Sequence, residues 1–302
     1  MPRNAGPVSE NIQSWDAKAV SQASCELGEG PRWSAVRSEL VSVDIIAGRV
    51  RFSAFTDGVL TTTQESAVPG FLALVEPLND GTFVACRQRT VEWWDATLAT
   101  MSETEIPLGP GERLNDGGID PEGRLVVGSM GLNGDEGQGK LWRVEKGRDP
   151  ELLRDGDGIP NGIAWDIQRA RAYWVDSLPG VLRVFEMSND GIDWRAPIET
   201  WKLGDESSTP DGLTLDAMGN IWVAFWGGAR VDAYSPDGIL IGRVSVPASN
   251  TTSCVFGGVD RDHLFITTAT FGLSAESLSD QPQAGHLFVA HIGSLPLTKG
   301  NL

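Results

Sequence analysis

PDGLTLDAMGNIWVAFWGG, residues 210–228, is the stretch from which the rest of the chain can be read. Asp211 stands between Pro210 and Gly212, a composition that reads as a tight turn ahead of a short apolar strand. Proline fixes φ and glycine admits conformations that other residues avoid, so the Asp211 carboxylate is aimed. A second turn at 217–220 and a strand at 221–224 follow.

Outward from there, the same design recurs. Six short segments each follow a turn-like lead: 40–44 (LVSVD), 82–86 (TFVAC), 124–128 (RLVVG), 172–176 (AYWVD), 220–224 (NIWVA) and 263–267 (HLFIT). Their central residues fall at 42, 84, 126, 174, 222 and 265. Units of 42 to 48 residues, each with several short strands and turn signals, match the blades of a β-propeller. A β-sandwich also shows short apolar strands, but not this even spacing. Long amphipathic helical patterns are absent, which argues against α/β architectures. The expected fold class is therefore all-β, a six-bladed β-propeller, with residues 1–302 as a single domain. Residues 1–16 are polar and read as a flexible N-terminal segment. Residues 17–25 could supply a strand to the last unit, where 286–292 (HLFVAHI) is a candidate strand, closing the ring without an open edge. The glycine-rich stretch 129–139 (SMGLNGDEGQG) reads as a surface loop or a lid.

Composition narrows the function classes. The 302 residues carry a formal net charge of −17, which disfavours nucleic acid and anionic membrane surfaces. Three cysteines without a CxxC pair argue against a disulfide framework and for a reducing compartment. No apolar run suits a signal peptide or a membrane span. The expected location is cytoplasmic.

Several turns hold an oxygen-bearing side chain beside Gly or Pro: Glu29 in LGEGPRW, Asn115 and Asp116 in RLNDGG, Asn161 in IPNGIAWD, and Asp211 in TPDGLTLD. Any one of these is ordinarily just a turn, and Glu29 alone would be a surface acid. The steps from Asn115 to Asn161 and on to Asp211 are 46 and 50 residues, about one blade each, so equivalent positions face one central channel. Two carboxylates and two amide carbonyls make a hard oxygen set, suited to Ca²⁺, Mg²⁺ or Mn²⁺. Asp44 and Asp176 read equally well as hydrogen-bonding partners for neighbouring turns. Trp174 and Trp222 read as core, while Trp33 and Trp226 could line the mouth. The three histidines, His263, His286 and His291, fit neither an HExxH site nor a GxSxG nucleophile turn. No GxGxxG or Walker-type loop is present, so nucleotide cofactors are not expected.

These motifs, with VDI at 43–45, YWVDS at 173–177 and SCVFGG at 253–258, run in order over residues 20–292. Together they resemble the SMP-30/gluconolactonase/LRE family, which contains regucalcin-like proteins and sugar lactonases. The resemblance implies one divalent metal in the channel, Ca²⁺ first, with Zn²⁺, Mg²⁺, Mn²⁺ or Fe²⁺ as other occupants. It implies Glu29, Asn161 and Asp211 as metal ligands, Arg113 and Asn115 as substrate-binding residues, and Asp116 at a position where some members bind a further cation. The implied activity is hydrolysis of a sugar lactone, with Asp211 also catalytic. Alternatives are a phosphotriesterase-like hydrolase and a calcium-binding regulatory propeller without turnover. Neither the physiological lactone nor the oligomeric state is written in the sequence.

Overall fold

Residues 2–4, 12–21 and 24–293 are described by the computed structural model. Each of the six segments above becomes the second strand of an antiparallel sheet: Glu39–Asp44, Phe83–Arg87, Leu125–Gly131, Arg171–Asp176, Ile221–Trp226 and His263–Thr268. Inside each lies an innermost strand: Gly28–Ser34, Leu72–Pro77, Glu112–Ile119, Pro160–Asp166, Thr209–Leu215 and Thr251–Gly257. Every innermost strand packs against those of the two adjacent sheets, and Thr251–Gly257 against Gly28–Ser34 completes the circuit. The molecule is a six-bladed, all-β propeller.

The core follows from this geometry. A sheet buries its apolar faces against neighbouring sheets, and six hydrophobic clusters occupy the six junctions between adjacent blades. Trp174 fills the junction of blades 3 and 4, and Trp222 that of blades 5 and 6; both are fully buried. Trp33 stacks on Phe265 of blade 6 at 5.8 Å and borders, with Arg32 and Glu76, a cavity at the C-terminal end of the innermost strands.

The ring closes as expected. Lys18–Ala19 pairs antiparallel with Phe288–His291, so an N-terminal strand and the last strand share blade 6. Parts of the segment before it form strand pairs. Gln13–Asp16 adds a parallel outer strand to blade 5 along Leu240–Ser245, and Arg3–Asn4 does the same along Glu199–Lys202 of blade 4. Trp15 explains the first docking, its ring 5.6 Å from that of Trp222. Residues 5–11 of that segment lie outside the described residues.

Two local expectations are corrected. Asp211 does not sit in a turn ahead of a strand; it lies within Thr209–Leu215. At the N-terminal end of all six innermost strands, one extra residue is inserted relative to the second strand. The insertions fall between Glu29 and Arg32, Leu72 and Leu74, Leu114 and Gly117, Pro160 and Ile163, Pro210 and Leu213, and Thr251 and Ser253. A β-bulge re-aims side chains and tolerates Pro and Gly, which is why these sequences resemble turns. Gly212 is required for space and not for a left-handed φ: a Cβ there would lie 2.0 Å from Ser253 Oγ. Within 129–139, residues 129–131 continue a strand, and Ser129 is fully buried beneath the Trp142 indole.

Candidate active site in the axial channel

The bulges bring together what the sequence scattered. Glu29, Asn115, Asn161 and Asp211 all lie at the same end of innermost strands, in blades 1, 3, 4 and 5, and all are buried. Blade 2 carries Ala73 at its bulge and blade 6 carries Thr252, whose hydroxyl donates to the Gly28 carbonyl and so joins blades 6 and 1. Blades 4 and 5 approach so closely that a Cβ on Gly162 would lie 2.3 Å from the Leu213 amide nitrogen.

Two devices fix the strand starts. Asp44 accepts from the Glu26 and Leu27 amides at 2.9 and 3.2 Å, immediately before Glu29. Asp176 accepts from the Ile159 amide at 2.9 Å, immediately before Asn161. These are the turn-holding roles that the sequence offered for the two carboxylates.

Each site residue is then held by specific bonds. The Asn161 amide donates to Ser177 Oγ at 3.0 Å, which turns its carbonyl oxygen the other way. That oxygen, Asn161 Oδ1, is buried with no protein donor, and so is Asp211 Oδ1. Asn115 donates to the Pro160 carbonyl at 2.9 Å and accepts from Arg113 Nη1 at 2.7 Å. Arg113 also donates to the Leu114 carbonyl and lies over the Phe71 ring, 6.0 Å from its centroid.

The electrostatics follow the burial. Desolvation, with Asp116 nearby, pushes the Glu29 carboxyl up to about 8. Asp211 is raised well above the usual carboxylate range by burial and then by Glu29 and Asp116. Burial lowers Arg113 to about 10, against the pull of Glu29 and Asp211. Glu29, Asp211 and Arg113 thus act on one another across the channel, although they are up to 182 positions apart in sequence.

Asp116 is placed differently. Its Oδ1 accepts from Arg32 Nη2 at 3.0 Å and from the Gly117 amide at 2.8 Å, and Arg32 Nε reaches Glu76 at 2.7 Å. Burial opposes the Arg32 charge, yet Glu76 and Asp116 outweigh it and hold the guanidinium above its ordinary range. Beyond this triad a cavity of about 300 Å³ is lined by all six innermost strands, including Glu76, Asp116, Trp165 and Cys254. Arg32 and Glu76 went unread in the sequence; the only signal was an arginine inside LGEGPRW. A side cavity of about 420 Å³ between blades 1 and 6 contains none of the converging residues except the flanking Gly28.

The unpartnered oxygens of Asn161 and Asp211, beside the Glu29 carboxylate, fit a hard divalent cation: oxygen donors only, with charge to neutralise. The SMP-30/gluconolactonase/LRE-like family model matches residues 27–270. Regucalcin of Danio rerio is 31% identical over 288 residues, 92% of this chain and 94% of the relative. Among solved structures, a calcium-binding protein, regucalcin, from Agrobacterium tumefaciens superposes with a TM-score of 0.81 at 25% identity, covering 94% of this chain and 96% of the other. A luciferin-regenerating enzyme superposes with a TM-score of 0.79 at 26% identity, covering 91% and 95%.

Proposed function

The chain belongs to the SMP-30/gluconolactonase/LRE-like family, and on that premise we propose that it hydrolyses a sugar lactone to the open aldonic acid. Glu29, Asn161 and Asp211 would hold one divalent cation, Ca²⁺ by the hardness of the donors and by likeness to a calcium-binding relative. The observation that carries this reading is the pair of buried, unpartnered oxygens on adjacent blades, Asn161 Oδ1 and Asp211 Oδ1.

When bound, the cation supplies Lewis-acid polarisation of an ester carbonyl and charge to offset an oxyanion. The chain's own groups do the rest. Arg113 presents a fixed fork of donors, braced by Asn115 and the Leu114 carbonyl, to substrate hydroxyls or to the oxygen on which charge develops. Asn115 is oriented by Pro160 and keeps Arg113 in place. The Asp211 carboxylate takes one proton of the attacking water and returns it to the ring oxygen as the acyl C–O bond breaks, so the opened product carries both a new hydroxyl and the acid. An intramolecular ester is already prone to hydrolysis, so no covalent nucleophile is needed. The three buried free cysteines support a reducing, cytoplasmic setting, and the closed ring supports treating the chain as one domain.

The test is a pH-stat assay on a panel of aldonolactones and one organophosphate triester, with and without chelator. Asp211→Asn should lose cation binding and lactone turnover together. Full turnover in Asp211→Asn, or turnover indifferent to chelator, overturns the reading. Faster triester than lactone hydrolysis would reassign the substrate to the phosphotriesterase-like class.

A further inference from the structure

Outside the channel, two of the three histidines meet an aspartate at the other end of blade 6. His263 pairs with Gly257 at the C-terminal end of the innermost strand Thr251–Gly257, opposite the bulge end that carries Glu29, Asn161 and Asp211 in their own blades. His263 and His291 are direct cross-strand partners on His263–Thr268 and Phe288–His291. That register brings their side chains together, and their ring centroids are 4.9 Å apart. Asp262 faces both, with Oδ1 at 2.6 Å from His263 Nδ1 and Oδ2 at 2.9 Å from His291 Nε2.

We propose that Asp262, His263 and His291 form a metal site independent of the channel, selective for a late first-row divalent ion of the Zn²⁺ type. Two imidazole nitrogens and one carboxylate oxygen lie within 4.8 Å of one another. Zinc bonds imidazole nitrogen at about 2.0–2.1 Å, so small rotations of the rings would converge them. The framework can hold such a site. The Ile292 amide donates to the Asp262 carbonyl at 2.9 Å, tying the two strand ends, and Phe55 packs edge-on to the His263 ring at 5.0 Å. His291, 63% exposed in its side chain, is free to swing and leaves room for water to complete the shell. Imidazole selects zinc, copper or nickel over calcium, whereas the channel offers oxygen alone. Occupancy would pin two strands of the blade that closes the ring and so stabilise the folded chain.

Bound Zn²⁺ and Ca²⁺ are counted by elemental analysis after equilibrium dialysis of the untagged full chain, its His291→Ala variant and its Asp262→Asn variant. The wild type should hold one more equivalent of Zn²⁺ than either variant and the same Ca²⁺, with lactone turnover equal in all three. Because the readout is a difference between variants, it does not depend on what the channel binds. Equal Zn²⁺ in all three chains overturns the site and leaves a hydrogen-bonded Asp–His–His cluster.

Discussion

Replacing Asp176 by alanine tests how the blades position the channel residues. The carboxylate is 1% exposed. Its Oδ1 accepts from the Ile159 amide at 2.9 Å and the Gly158 amide at 3.2 Å, and its Oδ2 accepts from Arg183 Nη1 and Nη2 at 3.2 Å each. Asp176→Ala strands buried amides, worth about 1–3 kcal/mol. It also leaves Arg183 with only Asp157, at 3.3 Å, and breaking one side of a buried ion pair costs about 3–5 kcal/mol. These costs overlap because one carboxylate serves both, so the expected loss is about 3–5 kcal/mol in urea unfolding with an unchanged m-value. Asp176→Asn keeps an oxygen for the amides and should lose less than half as much. The released strand start carries Pro160 and Asn161, so the alanine variant should also bind cation more weakly under conditions where it remains folded, and the asparagine variant should not. An Asp176→Ala chain within about 0.5 kcal/mol of wild type, the range of an ordinary surface substitution, would refute the reasoning.

Two further outcomes follow from the channel. Glu29 is raised from an ordinary 4.5 to about 8 without a cation; the folded state therefore holds a proton that the unfolded chain releases. This contribution is complete below pH 4.5 and is lost as pH rises through about 8. Thermal melts of chelated protein should accordingly fall across the window, Ca²⁺ should restore stability most at its upper end, and Glu29→Gln should make the chelated profile shallower, the remaining slope being that of the buried Asp211; a flat wild-type profile in chelator contradicts the burial argument. Gly212→Ala puts a Cβ 2.0 Å from Ser253 Oγ and 2.8 Å from Ser253 Cα. Overpacking of this kind costs about 1–3 kcal/mol, and because it displaces Asp211 from blade 6 it should weaken cation binding too. Wild-type affinity and melting temperature in that variant would show the bulge to be looser than the packing implies.

Periodic features of the fold were legible because a propeller repeats its blade along the chain. Strand centres at regular intervals marked the second strands, and oxygen-bearing residues beside Gly and Pro marked four of the six innermost ones, those of blades 1, 3, 4 and 5. The bulge itself was not legible. Pro210-Asp211-Gly212 has turn composition, and what makes it a strand is the neighbouring blade, whose Ser253 leaves no room for a side chain at Gly212. The outer strand Gln13–Asp16 was hidden for a related reason. Its residues are polar and half exposed, and only the Trp222 ring beneath Trp15 shows why they stay in place.

The charge balance on the axis was least legible, since it depends on blades that differ from one another. Glu76 and Arg32 carry no turn signature, and Arg32 reaches Asp116 across 84 positions of sequence. Yet they bear on how many cations the channel should take. Four carboxylates face the axis, Glu29, Glu76, Asp116 and Asp211, against two guanidinium groups, Arg32 and Arg113. The excess of two negative charges equals one divalent cation. Arg32 is bonded to Asp116 and Glu76, whereas Glu29 and Asp211 share the pull of Arg113 beside the open oxygen of Asn161, so each group of three is left with one negative charge. A further cation at Asp116, as the family resemblance allowed, would have to displace a guanidinium bonded on both sides. The charge count therefore agrees with the single hard cation proposed for the channel.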